Sequence, residues 1–527
     1  MTDHASLELR KAQELFRQGR LSEARVKLLN VAQSPAWRDS ALQGEALEGL
    51  GYIAAKENDY AQASDYLRHA CRILPPSAQR DHYSGYLHQC AGRHEQAVEY
   101  LQRSVAAAPA NIGAYELLLT SLMALGQHAG ALRTITALES RLGRPSAHLH
   151  YIRGLVFGAQ SQSDAEVGEY RKALALNPSH VDAYVNLGVA MHERMQFETA
   201  LQCFRKALAI DPDHAGARVN RARTNLLLGD FEHGWKDFEW RRSTPGQDQP
   251  TGRTSWAGDR SIKGKTLLIR SEGGPGDTLQ FLRYLKPLRT LGPKQVILTA
   301  QKRLLSLLEG FPDADLIVDE DDALPPFDES CPIMSLPLAL SRTVTGVPET
   351  PSGLTIAQPR IDAWADKLAN TDKPRIGIAW QIDDQPEGSD QSINLEQWRT
   401  LAEVDACYLA LQPFPRNEDD GCAPDLPTGW CGIPESPGNF ADLAALIVNL
   451  DLVITADNAI AHLAGTLGKP VWVLLPWLPD WRWQLERDDS PWYPSARLFR
   501  QPAPGEWAPT FNRIRSALQE FAQQQVP

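Results

Sequence analysis

Long apolar runs are absent from this 527-residue sequence. No stretch approaches the roughly 20 apolar residues that span a bilayer, and the first residues lead directly into a charged amphipathic segment. We therefore expect neither a transmembrane segment nor Sec-type export. Cysteine is also scarce: the seven cysteines form no Cys-x-x-Cys pair and have no histidine at zinc-ligand spacing. This pattern argues against a zinc site and predicts reduced thiols in a cytoplasmic protein.

An excess of positive charge is missing too, because the net charge is -12 and the pI is about 5.6. Nucleic acid and anionic membranes attract clustered lysines and arginines. We therefore expect no nucleic-acid partner. The length is too great for one core and favours three or four domains.

Small residues recur along the first 200 residues at close to the ~34-residue period of a tetratricopeptide unit. Glycines lie twelve residues before members of this series, and prolines lie twelve residues after them. The small-residue series is Ala24, Ala63, Ala97, Ala131 and Ala200, with Glu166 in the same phase; the glycines are Gly51, Gly85, Gly154 and Gly188; the prolines are Pro75, Pro109, Pro178 and Pro212.

These residue types suit a helical hairpin, since a small residue lets two helices approach and proline ends the second one. The clearest copy, Ala183 to Pro212, resembles the tetratricopeptide consensus. We predict an array over residues 1–242 that presents a groove for a protein partner, or else serves as a spacer or dimerisation arm. Its last helix pair, Asn225 to Arg242, contains aromatic residues that we expect to dock on the next domain. They are Trp235, Phe238 and Trp240.

A stretch rich in Gly, Pro, Ser and Thr predicts a linker over residues 243–263. After it, short apolar runs alternate with helical segments. This alternation is typical of βαβ units around parallel sheets. The Pro-rich stretch Thr345 to Gln358 divides the runs into two sets, which predicts two Rossmann-like lobes over residues 264–358 and 359–505 and a closing helix over 506–527. The predicted strands are Thr266–Ile269, Gln295–Leu298, Leu316–Val318, Arg375–Trp380, Cys407–Gln412, Asp451–Thr455 and Val471–Leu475.

Two turns carry the candidate chemistry. In the first, a strand runs into the glycine-rich segment Gly273 to Gly276 and then into a helix from Thr278 to about Arg289. Asp277 stands at that helix start, where it could act as a general base or simply cap the helix. In the second, a buried strand precedes Asp457 to His462, a polar turn at a helix start that suits a diphosphate. There, capping by Asp457 and a core imidazole at His462 are the alternatives.

Together these turns resemble glycosyltransferase family 9, which includes the bacterial lipopolysaccharide heptosyltransferases. The matching motifs are Gly276-Asp277 and Asp457-Asn458-x-x-x-His462-Leu463-Ala464, and the similarity spans roughly residues 220–525. It is greatest to the branch in which this module follows tetratricopeptide repeats. The resemblance implies a helical solenoid followed by a GT-B fold, with a nucleotide sugar held by the second lobe and an acceptor approaching the first.

The resemblance also implies roles for individual residues. Asp277 matches the proposed general base of the family. The implied donor-binding residues are Trp380, Gln381, Ser392, Gln412, Asp457, Asn458, Ala459 and His462, and the implied acceptor-side residues are Gly274, Gly276 and Ser335.

The loop after Trp380 departs from the family pattern. It lacks Lys and Arg between Arg375 and Arg399, and Gln412 precedes a proline where relatives often carry lysine. Because fixed positive groups stabilise a leaving diphosphate, we consider Arg482 as a substitute cation, with stacking on a neighbouring tryptophan as the alternative. The loop is acidic instead, through Asp383, Asp384, Glu387 and Asp390.

Our leading hypothesis is an inverting, metal-independent, hexosyl- or heptosyltransferase-like enzyme without a cofactor. It would move a sugar from a nucleotide-diphosphate donor to an acceptor hydroxyl, with the repeats recruiting a protein or a glycan- or lipid-linked acceptor. The rival is a tetratricopeptide scaffold whose GT-B half has lost catalysis. A dinucleotide oxidoreductase is disfavoured, since residues 273–276 lack the Gly-x-Gly-x-x-Gly spacing. Donor, acceptor and oligomeric state stay open.

Overall fold

The computed structural model describes residues 2–243, 255–341, 346–349, 353–368, 372–380, 393, 395–411, 430–431 and 437–525. The predictions for Gln381, Ser392 and Gln412 lie outside these residues. The chain divides into two compact units, Met1–Ala190 and Met191–Pro527. Within the described ranges, no helix is both long enough and apolar enough to cross a bilayer.

The first unit is entirely helical in its described part, and each helix packs against the next along the chain. This arrangement confirms the predicted solenoid of helical hairpins. Its helices are α1 (Thr2–Arg17), α2 (Leu21–Ala32), α3 (Ala41–Lys56), α4 (Tyr60–Ile73), α5 (Ala78–Cys90), α6 (His94–Ala107), α7 (Ile112–Ala124), α8 (His128–Leu142), α9 (Ala147–Ala159) and α10 (Ser163–Leu176). The next helix, α11 (Val181–Glu193), contains the division between the units.

The recurring small residues lie where the helices of a hairpin meet. Ala63 and Ala97 are fully buried, and a Cβ atom added to Gly85 would lie 2.4 Å from Cγ of Leu101. In the next-but-one hairpin, a Cβ at Gly154 would lie 2.4 Å from Cε1 of Tyr170. The sequence period therefore follows from a repeated steric requirement at the helix crossing.

Substitution of Gly154 tests this requirement against a control in the same hairpin. We expect Gly154→Ala to lower the free energy of unfolding by about 1–3 kcal/mol, because the buried ring of Tyr170 occupies the added methyl position. Gly168 on α10 has nothing within 4 Å of its added Cβ, so Gly168→Ala should instead stabilise by about 0.5–1 kcal/mol. Urea unfolding followed by circular dichroism compares the two. Midpoint shifts of the same sign and size would contradict the steric explanation.

The second unit begins with the last repeat helices and continues into a four-stranded parallel sheet. Strand order among the described residues is β3-β2-β1-β4. The helices are α12 (Phe197–Ile210), α13 (Ala215–Leu227), α14 (Phe231–Phe238), α15 (Pro275–Phe281), α16 (Leu285–Arg289), α17 (Leu305–Leu308) and α18 (Leu336–Ala339); the strands are β1 (Thr266–Arg270), β2 (Gln295–Ala300), β3 (Leu316–Asp319) and β4 (Glu329–Pro332). In register, Leu268 of β1 lies opposite Ile297 and Ser330.

A six-stranded parallel sheet follows, in the order β10-β9-β8-β5-β6-β7. Its strands are β5 (Arg375–Ala379), β6 (Cys407–Ala410), β7 (Trp430–Cys431), β8 (Leu452–Ala456), β9 (Val471–Leu475) and β10 (Ala496–Arg500). The surrounding helices are α19 (Gln358–Lys367), α20 (Leu395–Arg399), α21 (Phe440–Val448), α22 (Ala459–Thr466) and α23 (Ala508–Gln525). Short 3-10 helices lie at Pro35–Trp37, Glu239–Ser243, Leu282–Tyr284, Lys302–Leu304, Ile333–Ser335, Thr400–Glu403 and Trp481–Trp483.

All seven predicted strands are present, which confirms the α/β class of this half. The strands β4, β7 and β10 were not predicted, because they are short or alternate polar with apolar residues, and each sits at or near a sheet edge. The predicted helix from Thr278 to Arg289 is wrong as one element. It begins at Pro275 and is interrupted by a 3-10 turn before Pro287, whose missing N–H cannot continue the α-helical ladder.

Part of the predicted linker packs on the first sheet. Trp256 and Ile262 are buried, and the backbone N–H of Trp256 donates to the carbonyl of Ser330 at 2.7 Å. The indole N–H of Trp256 donates to the carbonyl of Arg260 at 2.9 Å. Residues 255–262 therefore belong to the folded domain, and residues 244–254 lie outside the described part.

The aromatic residues after α13 dock on the α/β half, as predicted. Trp235 contacts the ring of Trp481 edge-on, with ring centres 5.3 Å apart, and that of Phe281 at 6.0 Å. Phe238 lies 6.1 Å from Trp481. Trp240 has a different role, since the guanidinium of Arg218 lies 4.5 Å above its ring. The last helix pair of the array is thus part of one apolar core with the first sheet.

Candidate functional site

A cavity of about 820 Å³ lies within the second unit. Five parts of the chain line it: the last repeats, the turn after β1, the short 3-10 helix after β4, the turn after β8, and the loop after β9. The lining residues used below are His192, Arg223, Leu227 and Phe238; Gly274, Gly276 and Asp277; Asp457, Asn458, Ala459 and His462; and Asp480, Trp481 and Arg482. The two turns singled out in the sequence therefore meet at one site.

Asp277 caps its own helix. Its Oδ2 accepts a hydrogen bond from the backbone N–H of Gly274 at 2.9 Å, and Gly273 adopts the left-handed backbone (φ 71°) that closes the turn. An added Cβ at Gly273 would lie 2.1 Å from that carboxylate oxygen. The other oxygen, Oδ1, accepts from the guanidinium of Arg482. The side chain is about one-fifth exposed, which leaves it open to the cavity.

Each of the three guanidinium nitrogens of Arg482 donates a hydrogen bond. Nε donates to Oε1 of Gln280 and Nη1 donates to Oδ1 of Asp480, both at 2.7 Å, and Nη2 binds Asp277. The group also lies 4.4 Å above the ring of Trp481. Burial lowers the pKa of Arg482, but Asp480 and Asp277 outweigh burial and raise it, so the side chain stays charged. Ion pairing and stacking thus account for this residue without a ligand.

Asp457 lies partly buried beside the same arginine. Burial, followed by the charge of Asp480, raises the pKa of Asp457 from 3.8 to about 7. The Arg482 guanidinium acts in the opposite direction, and Asp277 adds to the rise. The cavity therefore contains a carboxyl group that changes charge near neutral pH.

Asn458, and not Asp457, caps the helix α22. Its Oδ1 accepts from the backbone N–H groups of Ile460 at 2.9 Å and Ala461 at 3.3 Å. Thr455 fixes the amide by donating to the same oxygen at 3.1 Å. The amides that we expected to hold a diphosphate are thus already bonded to a side chain of the turn, and the capping role considered for Asp457 is wrong.

Gly276 and His462 bring the two turns together. A Cβ at Gly276 would lie 2.8 Å from Cδ2 of His462, so helices α15 and α22 can pack this closely only with glycine there. Nδ1 of His462 is hydrogen-bonded to the hydroxyl of Tyr493 at 2.8 Å, and its ring stacks on Trp483 at 5.6 Å. Burial lowers the pKa of His462 to about 3, so the imidazole is neutral. The interpretation of His462 as a satisfied core histidine at the cavity edge fits these contacts.

Ser335 does not line the cavity. Its hydroxyl accepts from Nη2 of Arg241 at 2.8 Å and donates to Glu239 at 3.0 Å, within a buried ionic network that includes Glu272. The neighbouring Met334 lines the cavity instead. The predicted acceptor-side role of Ser335 is therefore replaced by a structural one.

Trp380 lies apart from the cavity lining, at the end of β5. Its ring packs 6.1 Å from that of Trp430, against the core of the six-stranded sheet. Across the described ranges, no group of three or more His, Cys, Asp or Glu side chains is arranged to hold a metal ion.

Sequence reasoning missed the contribution of the repeats to the site. His192 and Arg223 line the cavity although they belong to the helical array. Neither stands in a motif, and a polar residue on a repeat helix ordinarily faces solvent. Asp480 lies in the loop after β9, and the sequence does not indicate that it binds the same arginine as Asp277.

Similarity to known proteins supports the repeats directly. The tetratricopeptide repeat family matches residues 181–214 and residues 9–78. The N-terminal region thus contains tetratricopeptide repeats, and an α/β region with two parallel sheets follows it.

Protein FlbA of Caulobacter vibrioides is 26% identical over 510 residues, which cover 91% of this chain and 85% of FlbA. Among solved structures, a tetratricopeptide repeat protein from Parabacteroides merdae is 14% identical with a TM-score of 0.38, covering 47% of this chain and 94% of that one. MamA of Desulfovibrio magneticus RS-1 is 18% identical with a TM-score of 0.30, covering 32% of this chain and 96% of its own. At these TM-scores, the structural matches carry no functional inference.

Proposed function

We propose that the two parallel sheets are the lobes of a GT-B glycosyltransferase related to glycosyltransferase family 9. The observation that carries this proposal is the shared cavity: the turn after β1 and the turn after β8 open into the same space. Ligands of open parallel sheets bind at the carboxyl ends of the strands. Two such ends facing one cavity suit a reaction that joins a donor on one sheet to an acceptor on the other.

In the proposed reaction, Asp277 accepts the proton of an acceptor hydroxyl as its oxygen attacks the anomeric carbon of the sugar. The bond from that carbon to the diphosphate breaks, and the nucleoside diphosphate leaves with the bonding electron pair. Attack opposite to the leaving group inverts the anomeric centre. No step in this scheme requires a metal or a cofactor. Asp277 suits the role of base because its side chain lines the cavity and is about one-fifth exposed, while the cap holds it in position.

The second sheet would hold the nucleotide sugar, with Asp457, Asn458, Ala459 and His462 beside the diphosphate. In this proposal Gln381, Ser392 and Gln412 also bind the nucleotide sugar. Trp380, at the end of β5, belongs to the same set of donor-binding residues. The tetratricopeptide array would recruit the acceptor, either a protein or a glycan- or lipid-linked carrier, since such arrays bind extended partners.

The scaffold alternative draws on specific contacts. Asp277 is engaged by Arg482, and the first amides of α22 are bonded to Asn458. A chain kept only as a scaffold would retain these contacts because one joins the start of α15 to the loop after β9 and the other caps α22, without any need for a donor.

A thermal-shift screen against UDP-, GDP-, ADP- and dTDP-linked sugars separates the two functions. A ligand at 100 times its dissociation constant should stabilise the folded protein by about 2.7 kcal/mol. We expect one nucleotide class to raise the melting temperature and its free sugar to leave it unchanged. If none of the four classes shifts the transition and none is hydrolysed or transferred, the enzyme proposal fails and the scaffold function stands.

A further inference from the structure

The cavity is short of available positive charge for a diphosphate. Its lining contains three aspartates, Asp277, Asp457 and Asp480, against two arginines, Arg223 and Arg482. All three guanidinium nitrogens of Arg482 are already bonded. A departing diphosphate gains much of its stabilisation from fixed cations, which leaves Arg223 as the arginine of the lining that can bind one without first breaking an ion pair.

Arg223 faces the cavity from helix α13 of the last repeats. It is exposed, and among the described residues it has neither a hydrogen bond nor an ion pair. Two other arginines of the same helix are used differently: Nε of Arg221 binds the buried carboxylate of Asp237 at 2.6 Å, and Arg218 binds it at 3.3 Å. Two arginines of α13 thus neutralise Asp237, and the third, Arg223, lines the cavity.

The residue beside it is a hydrogen-bond acceptor. Nδ1 of His192 lies 2.9 Å from Oγ1 of Thr224, and that hydroxyl donates its own proton to the carbonyl of Asn220 at 2.9 Å. Nδ1 must therefore be the protonated nitrogen, and Nε2 carries a lone pair. A cation and a neutral acceptor side by side fit a phosphate that is attached to a hydroxyl-bearing sugar.

We infer that Arg223 binds a phosphate group of a diphosphate-bearing substrate, with His192 accepting a hydrogen bond from an adjacent hydroxyl. This inference rests on the proposed function, under which the diphosphate belongs to the nucleotide sugar. The last repeat is then part of the substrate site, and it supplies the cation that the acidic loop after Trp380 lacks. The planar guanidinium can engage two phosphate oxygens at once.

Binding of inorganic pyrophosphate to the full-length protein tests Arg223 independently of turnover. By isothermal titration calorimetry, we expect Arg223→Gln to weaken pyrophosphate binding at least ~10-fold, as charge-assisted hydrogen bonds are lost. Arg223→Lys should give an intermediate loss, because the charge stays but the two-pronged geometry goes. Arg205 is the matched control: it pairs with Glu198 at 2.8 Å on α12 and does not line the cavity, so Arg205→Gln should bind like the wild type.

Melting curves establish that the variants are folded, which is expected since Arg223 has no partner to lose among the described residues. Equal pyrophosphate affinity in wild type and Arg223→Gln overturns the inference, and so does a wild-type protein that binds no pyrophosphate. An equal loss in Arg205→Gln overturns it as well, since the effect would then be general charge.

Nucleoside diphosphates identify the source of the phosphate. If UDP, GDP, ADP or dTDP binds more tightly than pyrophosphate and loses the same factor in Arg223→Gln, the inference and the nucleotide donor are both supported. A loss confined to pyrophosphate, with no nucleotide binding, supports Arg223 as a diphosphate site and overturns the nucleotide-sugar proposal. Nucleotide binding that Arg223→Gln leaves unchanged supports the proposed function and overturns the inference.

Discussion

Replacing Asp277 with Asn should lower the rate of sugar transfer by about 100- to 10,000-fold, the usual effect of losing a positioned base. The amide oxygen can still accept the hydrogen bond from the Gly274 N–H, so the cap survives. The ion pair to Arg482 is lost, which should lower the free energy of unfolding by about 1 kcal/mol. Affinity for the donor should stay near that of the wild type. Initial rates with a donor from the thermal-shift screen measure the loss.

Asp480→Asn is the control for this substitution. Asp480 binds the same guanidinium as Asp277, so both variants remove one carboxylate from Arg482, but only one removes the proposed base. We expect Asp480→Asn to reduce the rate less than ~10-fold, since it removes a charge beside Arg482 and leaves the proposed proton acceptor in place. Similar losses in the two variants would assign the effect to the position of Arg482 and withdraw Asp277 as the base.

Replacing Asp457 with Asn should stabilise the protein in a pH-dependent manner. The pKa of this carboxyl is about 7 in the folded state, against 3.8 for the unconstrained group. Between these values the folded protein holds a proton that the unfolded chain has released, so the wild type loses stability as the pH rises from about 4 to 7. Asn removes that penalty. The gain should be near zero at pH 4 and about 2–4 kcal/mol above pH 7.

Chemical denaturation at several pH values measures this difference. Asp322→Asn serves as the control, because Asp322 is exposed and stands apart from the cavity lining; its effect on stability should be small throughout. A gain for Asp457→Asn that is the same at pH 5 and pH 8 would show that the amide helps through packing and that ionisation of Asp457 is not the cause.

Much of the fold could be predicted from the sequence because its determinants are local or periodic. Ala63 and Gly85 recur in phase since every hairpin repeats one helix crossing. Buried parallel strands such as β1 and β8 contain continuous apolar runs, so they stand out from the polar turns that follow them. The strands β4 and β10 lack such a run, since β4 is Glu-Ser-Cys-Pro and β10 alternates polar with apolar residues, so the sequence pattern does not indicate them.

The contacts that decide the chemistry could not be predicted in the same way. Arg482 and Asp277 are 205 residues apart in the chain, so the sequence does not indicate their ion pair. It indicates only the stacking of Arg482 on a tryptophan next to it in the chain. The family resemblance implies an acceptor-side role for Ser335, yet its hydroxyl accepts a structural hydrogen bond from the buried Arg241. Asn458, and not Asp457, caps α22, because the backbone conformation of the turn places the Asn458 side chain within reach of the first helix amides.

The boundary between the two compact units falls within α11 and not at the end of the repeat array. The repeats from Met191 onward fold with the α/β half and line its cavity, while helices α1–α10 belong to the other unit and have hydrophobic clusters of their own. Recombination before α11 could therefore exchange helices α1–α10 while the residues of the cavity stay in place. Under the proposed function, such an exchange would change the partner and keep the substrate site, provided that α11 with His192 and α13 with Arg223 are inherited together with the sheets.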